Sequence, residues 1–177
     1  MILKQRKNAD SGLTWKECKS MTFTFQFISE TVRLANIAPC IFRKALKEIN
    51  FKGYTIPAGW GVMVSTTTVH LNPENYDDPV AFNPWRWEGT ETNSASKDFM
   101  AFGGGQRLCV GADFAKVEMA VFLHCLVTKY RWEAIRGGNI VRTPGLQFPE
   151  GFHIRILEKD TSNRKQSITP DTSTRNV

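Results

Sequence analysis

Several features are missing from this chain of 177 residues, and each absence removes a class of function. No apolar run approaches the roughly 20 residues needed to cross a bilayer. The four cysteines, at positions 18, 40, 109 and 125, form no C-x-x-C pair, and the three histidines, at 70, 124 and 153, do not cluster. A tetrahedral zinc set is therefore excluded. A disulfide framework is excluded too, and reduced thiols are expected. There is no internal repeat. Positive charge dominates, with a net +6, but it forms no stripe. Lys4, Arg6 and Lys7 lie near the start and Arg164 and Lys165 in a polar tail, without aromatics between them. Nucleic acid is not an expected partner, and the basic residues read as solvated surface.

What is present suits one globular core, with 41% hydrophobic and 11% aromatic residues. After a polar lead-in over 1–12, Thr14 and Glu17 make a capping box. The spacing predicts a long helix over roughly 15–35, ended before Pro39. Short strands are predicted at 41–45, 48–52, 54–56 and 61–65, punctuated by Gly53 and by Pro57-Ala58-Gly59. Residues 67–100 lack a periodic pattern but hold Phe82, Trp85, Trp87 and Phe99, which points to a packed meander. A second helix is predicted from Gly111 to about Lys129. Val110, Phe114, Val117, Val121, Leu123 and Leu126 leave it only a narrow polar side at Asp113 and Lys116, so it should be mostly buried. Strands at 131–135 and 152–157 flank a turn at Gly137-Gly138, and a disordered polar tail is expected over 159–177.

The stretch FGGGQRLCVG, residues 102–111, sets a lone cysteine among glycines just before the second helix. Unsatisfied N–H groups at a helix start favour an anion, and hence a thiolate, the form that binds metal. Arg107 is placed to serve a nearby carboxylate. Glycines at 103–105 and 111 let the backbone approach a flat ligand. A single cysteine is, by itself, also consistent with a small buried hydrophobe or with a nucleophile, although no histidine is tied to Cys109 by a local signature.

Taken together, Phe102, Gly105, Arg107, Cys109 and Gly111 match F-x-x-G-x-R-x-C-x-G, and the stretch resembles the haem-ligand loop of the cytochrome P450 family. Glu30 and Arg33 resemble the E-x-x-R of that family's K helix, and residues 82–87, FNPWRW, resemble its meander motif. The phrases KSMTF, KGYTIPAGW and FNPWRW are similar to those of plant members that oxidise steroids and triterpenoids. The resemblance implies a mainly α fold with small β-sheets (α+β). Its parts would be the K helix, short strands, meander, cysteine loop, L helix and terminal β elements, over 13–158. Cys109 would be the axial ligand of haem iron. Phe102, Gly105, Arg107, Gly111 and Arg43 would line the haem, the arginines meeting propionates. Glu30, Arg33 and Arg86 would form a structural network. Residues 38–42 and 149–152, with Ile41 and Phe152, fall where the family contacts substrate; core packing accounts for them equally well.

The implied activity is insertion of one oxygen atom from O2 into a C–H bond of a lipophilic steroid- or terpenoid-like substrate. It would use haem b (iron protoporphyrin IX) and electrons from NADPH through a cytochrome P450 reductase. The implied location is the cytosolic face of the endoplasmic reticulum membrane. The resemblance covers only about the last third of a family member. The N-terminal anchor and the distal oxygen-activating helix fall outside it, so no catalytic residue is expected within this chain. The alternative is a truncated haem-binding or non-catalytic fragment.

Overall fold

The computed structural model describes residues 12–90, 97–143 and 145–159. The expected lead-in and tail lie outside them, apart from Gly12 and Lys159. The first helical stretch is two helices rather than one: α1 (Trp15–Lys19) and α2 (Thr22–Ala35). The capping box forms, with Glu17 N–H donating to Thr14 Oγ1 at 3.3 Å and Thr14 N–H donating to Glu17 Oε2 at 2.8 Å. The break comes at Ser20, whose hydroxyl donates to the Glu17 carbonyl at 2.7 Å, competing with the helical ladder as serine does. Met21 then takes ψ 55. The kink turns Cys18 and Met21 into one apolar cluster with Ile28 and Ala120.

At its other end α2 stops on Asn36, in the left-handed conformation (φ 43), with its N–H donating to the Val32 carbonyl. Arg142 donates to the carbonyls of Leu34 and Ala35, adding positive charge where the helix dipole is negative.

Strands β1 (Cys40–Lys44), β2 (Ile49–Phe51), β3 (Tyr54–Ile56) and β4 (Gly61–Ser65) follow. They pair antiparallel as β1 with β4 and β2 with β3, so the shorter hairpin sits inside the longer one. Gly53 (φ 82) and Gly59 (φ 87) supply the left-handed turn positions, as their sequence context predicts.

The stretch from 67 onward is less loop-like than its sequence suggests. A short helix, α3 (Thr66–His70), follows β4 directly, capped by Ser65. The Thr66 hydroxyl donates to the Ala38 carbonyl at 2.7 Å, anchoring a helix that its β-branched residues alone would disfavour. A 3-10 turn covers Pro84–Trp87. The meander is packed: Tyr76, Trp87 and Phe99 join Val32 in a second apolar cluster.

Helix α4 (Ala112–Lys129) packs on α2 and leads into β5 (Tyr130–Gly137). Its burial departs from the expectation at Lys116 and on its Phe114 side, while Asp113 is exposed as expected. Lys116 is buried, whereas Phe114 is 74% exposed and Val110 and Phe122 are exposed as well. The reason lies in what faces the helix. The Lys116 amine sits 5.7 Å from the Phe99 ring centroid and 5.6 Å from that of Phe102, so its stem fills space against aromatic faces. Val117, Val121 and Leu123 do pack on the first cluster. Strands β6 (Val141–Arg142) and β7 (Leu146–Gln147) form a small ribbon, and β8 (Phe152–Glu158) pairs with β5. The result is an α+β mixture of helices and four two-stranded sheets among the described residues.

Candidate functional site

Two constructions flank the second cluster: a buried ionic network and the cysteine loop. The network starts from residues three apart on α2, which share a helix face. Glu30 accepts from Arg33 Nε at 2.9 Å and from Arg33 Nη2 at 2.8 Å, a two-point fork between side chains that are both fully buried. Arg86 Nε, from the 3-10 turn, donates to Glu30 Oε1 at 3.0 Å. The Asn83 N–H reaches the same oxygen at 3.0 Å, and the Trp87 indole N–H reaches Oε2 at 3.0 Å. One carboxylate thus accepts five hydrogen bonds. Burial would raise its pKa, but Arg33, the Asn83 N–H and Trp87 outweigh it and leave the pKa lowered.

The guanidiniums spend their other donors on the meander backbone. Arg33 Nη1 donates to the carbonyls of His70 at 2.6 Å and Pro79 at 2.7 Å. Arg86 donates to those of Asp77 at 2.9 Å and Asp78 at 3.2 Å. The network therefore fixes the path of 77–87 against α2. Asn83 and Trp87 lie in the FNPWRW stretch beside Arg86, yet only the fold reveals that they serve Glu30.

The loop begins at Met100, whose carbonyl accepts from Gly103 N–H at 3.0 Å. Gly103 (φ 81) and Gly105 (φ 65) are left-handed, which only glycine adopts readily. A Cβ on Gly103 would lie 3.5 Å from Ile41 Cδ1, so β1 passes alongside the loop. Ile41 and Arg43 alternate onto the same face of β1, which therefore carries Arg43 toward the loop side. The Arg43 guanidinium donates to the Phe42 carbonyl at 2.8 Å and is exposed. A 3-10 turn over Gly105–Arg107 precedes Cys109, and Arg107 is exposed. The loop closes on itself where Cys109 N–H donates to the Phe102 carbonyl at 3.0 Å. Cys109 O accepts from Ala112 N–H at 3.3 Å, leading into α4, and Gly111 lies between them. Cys109 is exposed and takes part in no disulfide.

A match to the cytochrome P450 family model extends over residues 2–155. The chain belongs to the cytochrome P450 family. Cytochrome P450 87A3 of Oryza sativa subsp. japonica is 64% identical over 90% of this chain and 31% of its own length. Beta-amyrin 16-alpha-hydroxylase CYP87D16 of Maesa lanceolata is 48% identical over 90% of this chain and 34% of its own length. Other relatives are named as cholesterol hydroxylases. The solved structure of retinoic acid bound cyanobacterial CYP120A1 superposes with a TM-score of 0.74 and 28% identity, over 89% of this chain and 38% of that one. The chain spans about a third of the length of the curated relatives it matches.

The donor set of this P450 loop fits the family's haem. Among the described residues no three His, Cys, Asp or Glu side chains gather into a metal-binding group. A metal at Cys109 would thus take one soft protein ligand, with a macrocycle filling the rest. The exposed sulfur, two left-handed glycines before it and two exposed arginines, on β1 and in the loop, are compatible with such a ligand. No helix among the described residues is long and apolar enough to cross a membrane.

Proposed function

We propose that Cys109 is the thiolate that would hold a haem b against the loop 102–111, in a monooxygenase that hydroxylates a lipophilic steroid or triterpenoid. The observation carrying this reading is the folded loop itself, which holds an exposed cysteine outside any disulfide just past the Gly105–Arg107 turn, tied back to Phe102 by a backbone hydrogen bond. When bound, the haem supplies oxygen activation, with electrons from NADPH through a P450 reductase. The chain's own residues hold and tune it. Cys109 Sγ would donate electron density to that group, and the Cys109 N–H bond to the Phe102 carbonyl holds the backbone that carries the sulfur. Arg107 and Arg43 would meet the two propionates with charge-assisted hydrogen bonds. Phe102 and the glycines would line the haem, with Gly111 passing the chain into α4. The Glu30–Arg33–Arg86 network specifies geometry and takes no part in proton transfer.

The substrate class rests on the relatives named for beta-amyrin, cucurbitadienol and cholesterol. Ile41 and Phe152 suit an apolar molecule of that kind. The site of action would be the cytosolic face of the endoplasmic reticulum membrane.

The test is spectroscopic. The complete haem-loaded protein, reduced under carbon monoxide, should give the thiolate signature, and Cys109→Ser should abolish it. Persistence of the signature in Cys109→Ser would remove Cys109 from the role. Hydroxylation of beta-amyrin or cholesterol with reductase and NADPH tests the substrate class, and absence of product with both would overturn it.

A further inference from the structure

The segment that leads into the cysteine loop is gripped by side chains that no sequence motif marks. His70, at the end of α3, is fully buried, and its ring is bonded at both nitrogens. Met100 N–H can only donate, and it reaches Nε2 at 2.9 Å. Nε2 therefore carries the lone pair, and the proton resides on Nδ1, which donates to Asn36 Oδ1 at 2.9 Å. Asn36 is the left-handed residue that ends α2, so the ring is oriented from a helix terminus. Two residues before Met100, the Asp98 carbonyl accepts from the Tyr76 hydroxyl. Phe99, between them, is 1% exposed, with ring centroids of Trp87 at 5.1 Å and His70 at 5.9 Å. On the far side of Met100, its carbonyl holds Gly103 N–H, the first bond of the loop. His70 also accepts Arg33 Nη1 at its own carbonyl.

We propose that His70 is a positioning residue for Cys109: its imidazole, oriented by Asn36, fixes the first turn of the cysteine loop through the Met100 N–H, while Tyr76 fixes the same segment at Asp98. The arrangement makes one residue the joint between two structures. Its main chain belongs to the Glu30–Arg33–Arg86 network and its side chain to the loop. Displacement of the meander is thereby passed toward the sulfur through the buried His70 ring, alongside the Tyr76–Asp98 bond. The inference rests on Cys109 being the haem ligand, because only then does loop position have a chemical readout.

Three variants of the complete haem-loaded protein test it. His70→Gln keeps an acceptor near Nε2, His70→Leu keeps only bulk, and Asn36→Gly removes the Nδ1 partner while suiting the left-handed cap at least as well. The readouts are exchange of the Met100 amide and the share of reduced carbonyl complex with the thiolate signature. Met100 exchange should quicken by about tenfold or more in His70→Leu and roughly threefold or more in Asn36→Gly, with α4 amides unchanged. His70→Gln should stay close to the parent, and the thiolate share should fall in the order of the exchange rates. Unchanged Met100 exchange in His70→Leu would overturn the proposal, as would equal damage from His70→Gln and His70→Leu. If His70→Leu does not fold, Asn36→Gly decides, and parental exchange and thiolate share there would sink the idea. Loss of the thiolate signature from the unsubstituted protein would instead count against Cys109 as ligand, and Met100 exchange would still judge the grip on the loop.

Discussion

The indole N–H of Trp87 donates to Glu30 Oε2 at 3.0 Å, on the carboxylate oxygen opposite the one that receives Arg86. The aromatic residue of the meander is thus a full member of the ionic network, sharing Oε2 with Arg33 Nε alone. Trp87→Phe keeps an aromatic ring beside Tyr76 and Phe99 but deletes that donor. The expected loss is about 1.5–3 kcal/mol of unfolding free energy, the range for a hydrogen bond to a charged group, read by urea denaturation.

Removing the carboxylate should be worse than removing either neighbour's share. Glu30→Gln leaves the fully buried Arg33 and the nearly buried Arg86 without a counter-charge. A loss of about 3–5 kcal/mol is expected, or failure to fold. Arg86→Ala should cost less, because its side chain is 10% exposed and the freed carbonyls of Asp77 and Asp78 lie where water reaches them. Equal losses in the two variants would contradict this ranking.

Acid should unfold the protein in two overlapping steps. Burial first, and then the charge of Arg33, hold the His70 pKa down at about 4, against 6.5 for the free residue. The unfolded chain therefore binds the extra proton first. His70 contributes its full stability above about pH 6.5, and that contribution is lost as pH falls toward 4, by about 3 kcal/mol in all. Glu30, whose pKa is lowered from 4.5, begins to withdraw its own contribution only below that value. His70→Gln should flatten the first step and leave the second, which a pH series of urea midpoints will show.

Glycines at similar backbone angles should respond very differently to a methyl group. Gly53 (φ 82) has nothing within 4 Å of where a methyl group would sit, so Gly53→Ala should cost only the left-handed strain, about 1–2 kcal/mol. At Gly137 (φ 81) the methyl would run into the Gly151 carbonyl, with its carbon at 3.1 Å. Gly137→Ala should therefore lower Tm several degrees further and part the β5–β8 ribbon at the end where Gly137 faces Phe152. Comparable Tm values for the two variants would refute the backbone clash.

Features set by local chemistry were legible in the sequence. Thr14 and Glu17 cap each other within one turn, and Gly53 and Gly59 sit where only their own backbone angles matter. The pairing of Glu30 with Arg33 needs only the helical repeat. Features set by partners far along the chain were not. Helix α3 is built from Thr66, Thr67, Thr68 and Val69, poor helix formers, and it is held by Ala38 and by the burial of His70. The buried side of α4 follows Lys116 because Phe99 and Phe102 offer it their faces, which hydrophobicity along one helix cannot show. The grip on Met100 joins Asn36, His70 and Tyr76, with no spacing that marks them as a set.

The four two-stranded sheets share no strand, so among the described residues every strand keeps one edge outside any ladder. Such edges invite pairing with another chain, and flanking cations are a common guard against it. Exposed basic residues stand on two of these strands: Arg43 and Lys44 on β1, Arg131 and Arg136 on β5. Like charge on those strands opposes edge-to-edge pairing between two copies of this chain, a use for basic residues that the composition alone does not show.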